Sequence, residues 1–114
     1  MNSPAAARSD DVLALTETTF AAALEHHPLM VVDFWASWCG PCRRFEPIFA
    51  AASADHPDVL FASVDTEAEP GLAAAARIRA LPTVMLFRDG LPLETHPGAL
   101  RRSALRRALD RARR

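Results

Sequence analysis

At 114 residues the chain suits one compact domain, large enough to bury an apolar core without disulfide scaffolding. Its 13 basic and 14 acidic residues leave a formal net charge of −1, which gives no electrostatic reason to expect nucleic acid or a membrane as the main partner. All the basic residues are Arg, Tyr is absent and Ala is abundant, a bias read as compositional and not as a functional signal.

The first ten residues, Met-Asn-Ser-Pro-Ala-Ala-Ala-Arg-Ser-Asp, lack the basic leader and apolar run of about 7–15 residues that mark a secretory signal. No segment approaches the roughly 18 apolar residues of a membrane span. The expectation is a cytoplasmic protein with a flexible segment over 1–9 and one domain over 10–114. Residues 12–15 read as a short strand and 18–25 as a helix capped by a Thr side chain. After His27 and Pro28, residues 29–34 form an apolar run typical of a central strand covered on both faces, interrupted only by Asp33. From Cys39 to about Ser53 the pattern is helical, with Phe45, Ile48, Phe49 and Ala52 on one face and Pro47 expected to kink the helix.

Residues 58–65 read as a strand and 69–77 as a helix with Pro70 in its first turn. Strands follow over 83–88 and 91–96, joined by Arg88-Asp89-Gly90, a hairpin signal; Pro92 places the second strand at the sheet edge. Residues 99–114 form the last helix, with Leu105, Ala108, Leu109 and Ala112 on one face. The fold class is α/β, a mixed sheet with helices on both faces. Met30 and Met85 are packing residues within strands. The seven arginines of 101–114 are read as a solvated helix face and not as a nucleic-acid patch.

Chemistry concentrates at Cys39 and Cys42, the only cysteines of the chain. A loop so short cannot restrain the unfolded chain, so the spacing points to reactivity or metal. Between a strand and a helix, Cys39 meets unpaired backbone N–H groups and the positive end of the helix dipole, both of which favour a thiolate. Cys42, about one turn on, reaches the same sulfur, so Cys39 can attack a disulfide and Cys42 resolve the mixed disulfide. Gly40 frees the turn, Pro41 stiffens it, and Trp38 offers an apolar surface to a partner. The bland alternatives are half of a zinc site or two inert thiols. Structural zinc requires four ligands, and neither a second Cys-x-x-Cys nor a suitable pair among His26, His27, His56 and His96 exists, so no metal is expected.

Trp38-Cys39-Gly40-Pro41-Cys42 resembles the active-site motif of the thioredoxin family. Val-Asp-Phe-Trp-Ala at 32–36, Pro47, Leu81-Pro82-Thr83, Phe-Arg-Asp-Gly at 87–90 and Gly-Ala-Leu at 98–100 match as well, so the likeness spans about residues 12–112. The resemblance implies the thioredoxin fold, a central mixed sheet flanked by four helices. It implies that Cys39 is the nucleophile, Cys42 the resolving thiol, Asp33 the buried carboxylate that exchanges a proton with Cys42, and Pro82 a cis proline facing the dithiol. Trp38, Leu81, Pro82 and Gly98 would line the groove for a partner's extended segment. Independently of the resemblance, a carboxylate in an apolar central strand has its pKa raised by desolvation; the bland reading is a buried Asp that only hydrogen-bonds backbone.

Two departures stand out. Ser63 takes the place of a lysine found near the buried carboxylate in many thioredoxins, so Asp33 is expected to titrate higher than in those relatives. Cys-Arg-Arg-Phe at 42–45 and Val-Asp-Thr-Glu-Ala-Glu at 64–69 resemble thioredoxins that carry an N-terminal zinc ribbon, yet the chain has no cysteines for one. The resulting reading is a monomeric protein disulfide reductase cycling between dithiol and Cys39–Cys42 disulfide. It binds no cofactor, and the resemblance implies recycling by a thioredoxin reductase that draws on NADPH. A thiol oxidant or isomerase on the same fold is one alternative, disfavoured by Gly40-Pro41; a redox-independent partner-binding scaffold is the other.

Overall fold

Two apolar segments set the centre of the molecule. In the computed structural model, which describes residues 11–114, β2 (Leu29–Trp35) runs parallel to β3 (Leu60–Asp65) and antiparallel to β4 (Thr83–Arg88). The short β1 (Val12–Ala14) joins β3 in parallel, and β5 (Leu91–Pro97) joins β4 antiparallel, giving the order β1-β3-β2-β4-β5. The helices are α1 (Phe20–His26), α2 (Gly40–Asp55), α3 (Pro70–Ala75) and α4 (Arg102–Ala112). This is the expected α/β architecture, with residues 29–34 in the middle strand. The flexible segment expected over 1–9 lies outside the described residues.

Alternation along the strands decides what each face buries. Val31, Phe61, Val84 and Leu86 meet Phe45 and Phe49 of α2 and Leu105, Ala108 and Leu109 of α4. Met30, Val32, Phe34, Ala62, Val64, Met85 and Phe87 form the opposite core, under α1 and α3. By the same parity Asp33 and Ser63, paired in register, share the face of Val31 and Phe61, which is the face that α2 covers.

Local chemistry explains where elements stop. The Thr cap expected for α1 is not made: Thr19 sits at the N-cap in right-handed helical backbone, and its hydroxyl accepts instead from the Thr16 N–H at 2.9 Å. The helix therefore starts later than the predicted residue 18. Helix α3 ends before the predicted residue 77 because Arg77 turns left-handed at φ 58. The Arg77 N–H donates to the Ala74 carbonyl at 3.1 Å and the Ile78 N–H to the Ala73 carbonyl at 3.0 Å, a Schellman stop built without glycine. Asp89 (φ 52) and Gly90 (φ 83) form the hairpin turn, and Pro92 lies on the edge strand as its missing N–H requires. Helix α4 begins at Arg102 and not at residue 99, after a bend through Gly98 (φ 93). Helix α2 continues through Pro47 for 16 residues.

Ion pairs tie α4 down. Arg111 donates through Nε and Nη2 to the two carboxylate oxygens of Glu94 at 2.9 Å each, and the His96 ring lies 2.7 Å from the same carboxylate. Arg113 grips Asp58 at 2.7 and 2.9 Å. Of the seven arginines in 101–114, the other five are exposed, in keeping with a solvated face.

Candidate active site

Strand β2 delivers the chain to a helix start made by the cysteines themselves. Cys39 occupies the N-cap of α2 with extended backbone (φ −87, ψ 110), and its Sγ accepts from the Cys42 N–H at 3.2 Å. Its own N–H donates to the Ala36 carbonyl at 3.1 Å, and its carbonyl accepts from the Arg43 N–H at 3.2 Å. Gly40 and Pro41 form the first turn, where the absent proline N–H removes no helical bond. Cys39 and Cys42 are joined by a disulfide with Cα atoms 5.3 Å apart, within the normal span. The N-terminal dipole of a 16-residue helix, with the Cys42 N–H aimed at Cys39 Sγ, favours negative charge at this end, the condition a leaving or attacking thiolate needs.

The two sulfurs face different surroundings. Cys39 borders an open depression of about 420 Å³ shared with Trp38 and Leu81, Trp38 being 65% exposed. Thr66, Ala73, Ile78 and Arg79 complete its far wall, which sequence reasoning missed. Thr66 is fixed there by its N–H and hydroxyl, both donating to the Trp35 carbonyl at 2.9 and 3.0 Å. Cys42 instead borders a small cavity of about 30 Å³ walled by Asp33, Trp35, Arg43 and Glu46, enough by volume for a water. Asp33 is 3% exposed, and its Oδ1, Trp35 Nε1 and Glu46 Oε2 are all shielded from solvent.

The position beside Asp33 is Ser63, 4% exposed, as its spacing predicted. The basic group that lines the Asp33 cavity comes from α2: Arg43, whose Nη1 donates to the Ser37 carbonyl at 2.6 Å. Sequence reasoning missed Glu46, although it stands four residues after Cys42 and so on the same helix face.

The segment opposite the dithiol is held by short bonds. The Leu81–Pro82 peptide is cis, the Gly98 N–H donates to the Pro82 carbonyl at 2.7 Å, and Thr83 Oγ1 donates to the Ala80 carbonyl at 2.6 Å. Leu81 packs against Ala36, Cys39 and Cys42. Of the expected groove residues, Trp38 and Leu81 line the depression, whereas Pro82 is buried and Gly98 holds it from β5's end. Among the described residues no three His, Cys, Asp or Glu side chains converge on a possible metal position, and no helix is long and apolar enough to cross a membrane.

A dithiol closed at a helix N-terminus, beside an open depression and on this sheet, defines a thiol–disulfide oxidoreductase. The Thioredoxin family model matches residues 11–111. A putative thioredoxin 2 of Streptomyces coelicolor is 40% identical over 99 residues, covering 87% of this chain and 74% of that one. Thioredoxin 1 of Synechococcus elongatus is 38% identical over 100 residues, covering 86% and 94%. Among solved structures, oxidised mitochondrial thioredoxin 3 of Saccharomyces cerevisiae superposes with a TM-score of 0.82 at 31% identity, covering 88% of this chain and 94% of that one. The chain belongs to the thioredoxin family, with the thioredoxin fold and the activity of a protein disulfide oxidoreductase, and Cys39 and Cys42 are its redox-active pair.

Proposed function

We propose that Cys39 attacks the target disulfide, that Cys42 resolves the resulting mixed disulfide, and that Asp33 takes the proton Cys42 must lose. The observation that carries this division is the asymmetry of surroundings: Cys39 borders the open depression with Trp38, while Cys42 borders the small cavity with Asp33. A target sulfur approaching through the depression meets Cys39 first. The target's first thiolate leaves as the mixed disulfide forms. Cys42 then gives its proton to Asp33, attacks the Cys39 sulfur, and expels the second target thiolate, which is protonated by solvent. A carboxyl removed from water holds a proton more readily than one in water, which suits Asp33 to receive it.

Trp38 and Leu81 supply the apolar contact for an extended target segment, and Pro82, secured by Gly98, shapes the wall opposite the dithiol. The protein works as a monomer in the cytoplasm, is recycled by a thioredoxin reductase that draws on NADPH, and donates electrons to disulfide-bearing proteins. The family membership supports that placement. The division of roles is tested by trapping. Reduced Cys42→Ser, offered a disulfide-bearing protein, accumulates a mixed disulfide through Cys39, whereas Cys39→Ser accumulates none. Equal trapping by both variants would refute the assignment.

A further inference from the structure

The cavity behind Cys42 holds a second carboxylate whose placement the reaction above leaves unused. Glu46 follows Cys42 by four residues on α2, so the two side chains share one helix face. Both line the 30 Å³ cavity with Asp33. Asp33 is 3% exposed, so a proton it receives sits away from bulk water. Glu46 is different: its Oε2 is shielded from solvent while the residue as a whole is only half-buried. Glu46 thus lines the cavity and also meets solvent.

We propose that Glu46 is a positioning and relay residue that passes the resolving thiol's proton between Asp33 and solvent. The proposal rests on Asp33 acting as the acceptor of the Cys42 proton. In each turnover Cys42 yields a proton to Asp33 as its sulfur bonds to that of Cys39. Asp33 must shed the proton it holds before it can take that of Cys42, so the relay gates every resolution, the first after mixing included. A carboxylate accepts a proton on one oxygen and releases one from the other, so Glu46 carries it outward, directly or through a water in the cavity. The titratable or charged groups around this cavity are Asp33 from β2 and Cys42, Arg43 and Glu46 from α2; Ser63, beside Asp33 on β3, is neutral. Arg43 donates to the Ser37 carbonyl at 2.6 Å and, always protonated, offers no site to carry a proton away.

The test separates the two thiols by mixing reduced protein with dithiobis-nitrobenzoate, a symmetrical aromatic disulfide, in stopped flow. The first aromatic thiolate released reports attack by Cys39 and the second reports resolution by Cys42. Glu46→Gln keeps the side chain's shape and removes its ability to carry a proton. The expected result is an unchanged first release and a second release slowed about tenfold near neutral pH, with its pH dependence flattened. In Glu46→Ala, added formate restores the second release in proportion to its concentration. Asp33→Asn slows the second release as well. A second release unchanged in rate and pH profile in Glu46→Gln but slowed in Asp33→Asn overturns the relay alone. No change in either variant overturns the Asp33 assignment and the relay together. A slow Glu46→Ala that formate fails to rescue shows a structural role and also overturns the relay.

Discussion

Phe49 shows how far the redox pair depends on the packing beneath it. The residue is 2% exposed on α2, the helix that carries both cysteines, and its ring centroid lies 5.7 Å from that of Phe45 and 5.0 Å from that of Phe61 on β3. Phe49→Ala removes a ring that α2 uses to grip the sheet and leaves a cavity between two other rings that cannot collapse fully. Loss of a buried Phe side chain costs about 3–5 kcal/mol, and the aromatic neighbours on both sides place Phe49 near about 4 kcal/mol. That is a large part of the roughly 5–15 kcal/mol that holds a domain folded. It lowers the folding constant by about a thousandfold. With a urea dependence of about 2 kcal/mol per molar, the denaturation midpoint falls by about 2 M. Urea titration followed by tryptophan fluorescence measures it. The thiol chemistry of the folded fraction stays unchanged, because no atom of Phe49 lines either space beside the sulfurs. A midpoint shift under about 0.5 M would refute the claim that this ring anchors α2.

Two further substitutions test the scaffold. Arg77→Gly relieves a side chain held at φ 58 in the stop after α3 and raises stability by up to about 1 kcal/mol, read as a higher thermal midpoint; a loss of stability would show that the Arg77 side chain contributes more than its backbone strain removes. Glu94→Gln lowers the thermal midpoint at neutral pH. The Arg111 guanidinium, with His96 assisting against the effect of burial, holds the Glu94 carboxyl down at about 2, against an ordinary value of 4.5. Because this folded-state pKa is depressed, the contribution is fully present above the ordinary value and fades as pH falls from 4.5 through about 2. The difference between Glu94→Gln and the parent protein therefore closes over that window, and a difference that persisted at pH 2 would contradict the origin assigned to it.

The sequence carried the site's centre because local chemistry and long-range structure agree there. An apolar run with one Asp, then Cys-Gly-Pro-Cys opening an amphipathic helix, leaves little freedom in how β2 and α2 meet. The place of Ser63 follows from the family resemblance, which sets it at the position of a lysine near the buried carboxylate, and Asp33 and Ser63 do pair in register. What escaped depended on tertiary geometry or on backbone choices that side chains do not announce. Thr18 and Thr19 both suit an N-cap, yet the preceding turn recruits the Thr19 hydroxyl for the Thr16 N–H. Arg77 gives no glycine signal for a left-handed stop, so the predicted α3 ran too far. Arg79 and Thr66 reach the depression only because the loops after α3 and β3 converge beside Trp38. Glu46 reads as an ordinary exposed helix residue until Asp33 on a different element is found across the same cavity.

The most direct test of the account is the equilibrium of the Cys39/Cys42 pair against graded glutathione redox buffers. A reductant of protein disulfides in this family titrates near the thioredoxin value of about −270 mV, a known family value and not one read from this geometry. That result is predicted here. A potential above about −180 mV would make the protein an oxidant or isomerase, and failure to form the disulfide in any buffer would leave only a binding scaffold.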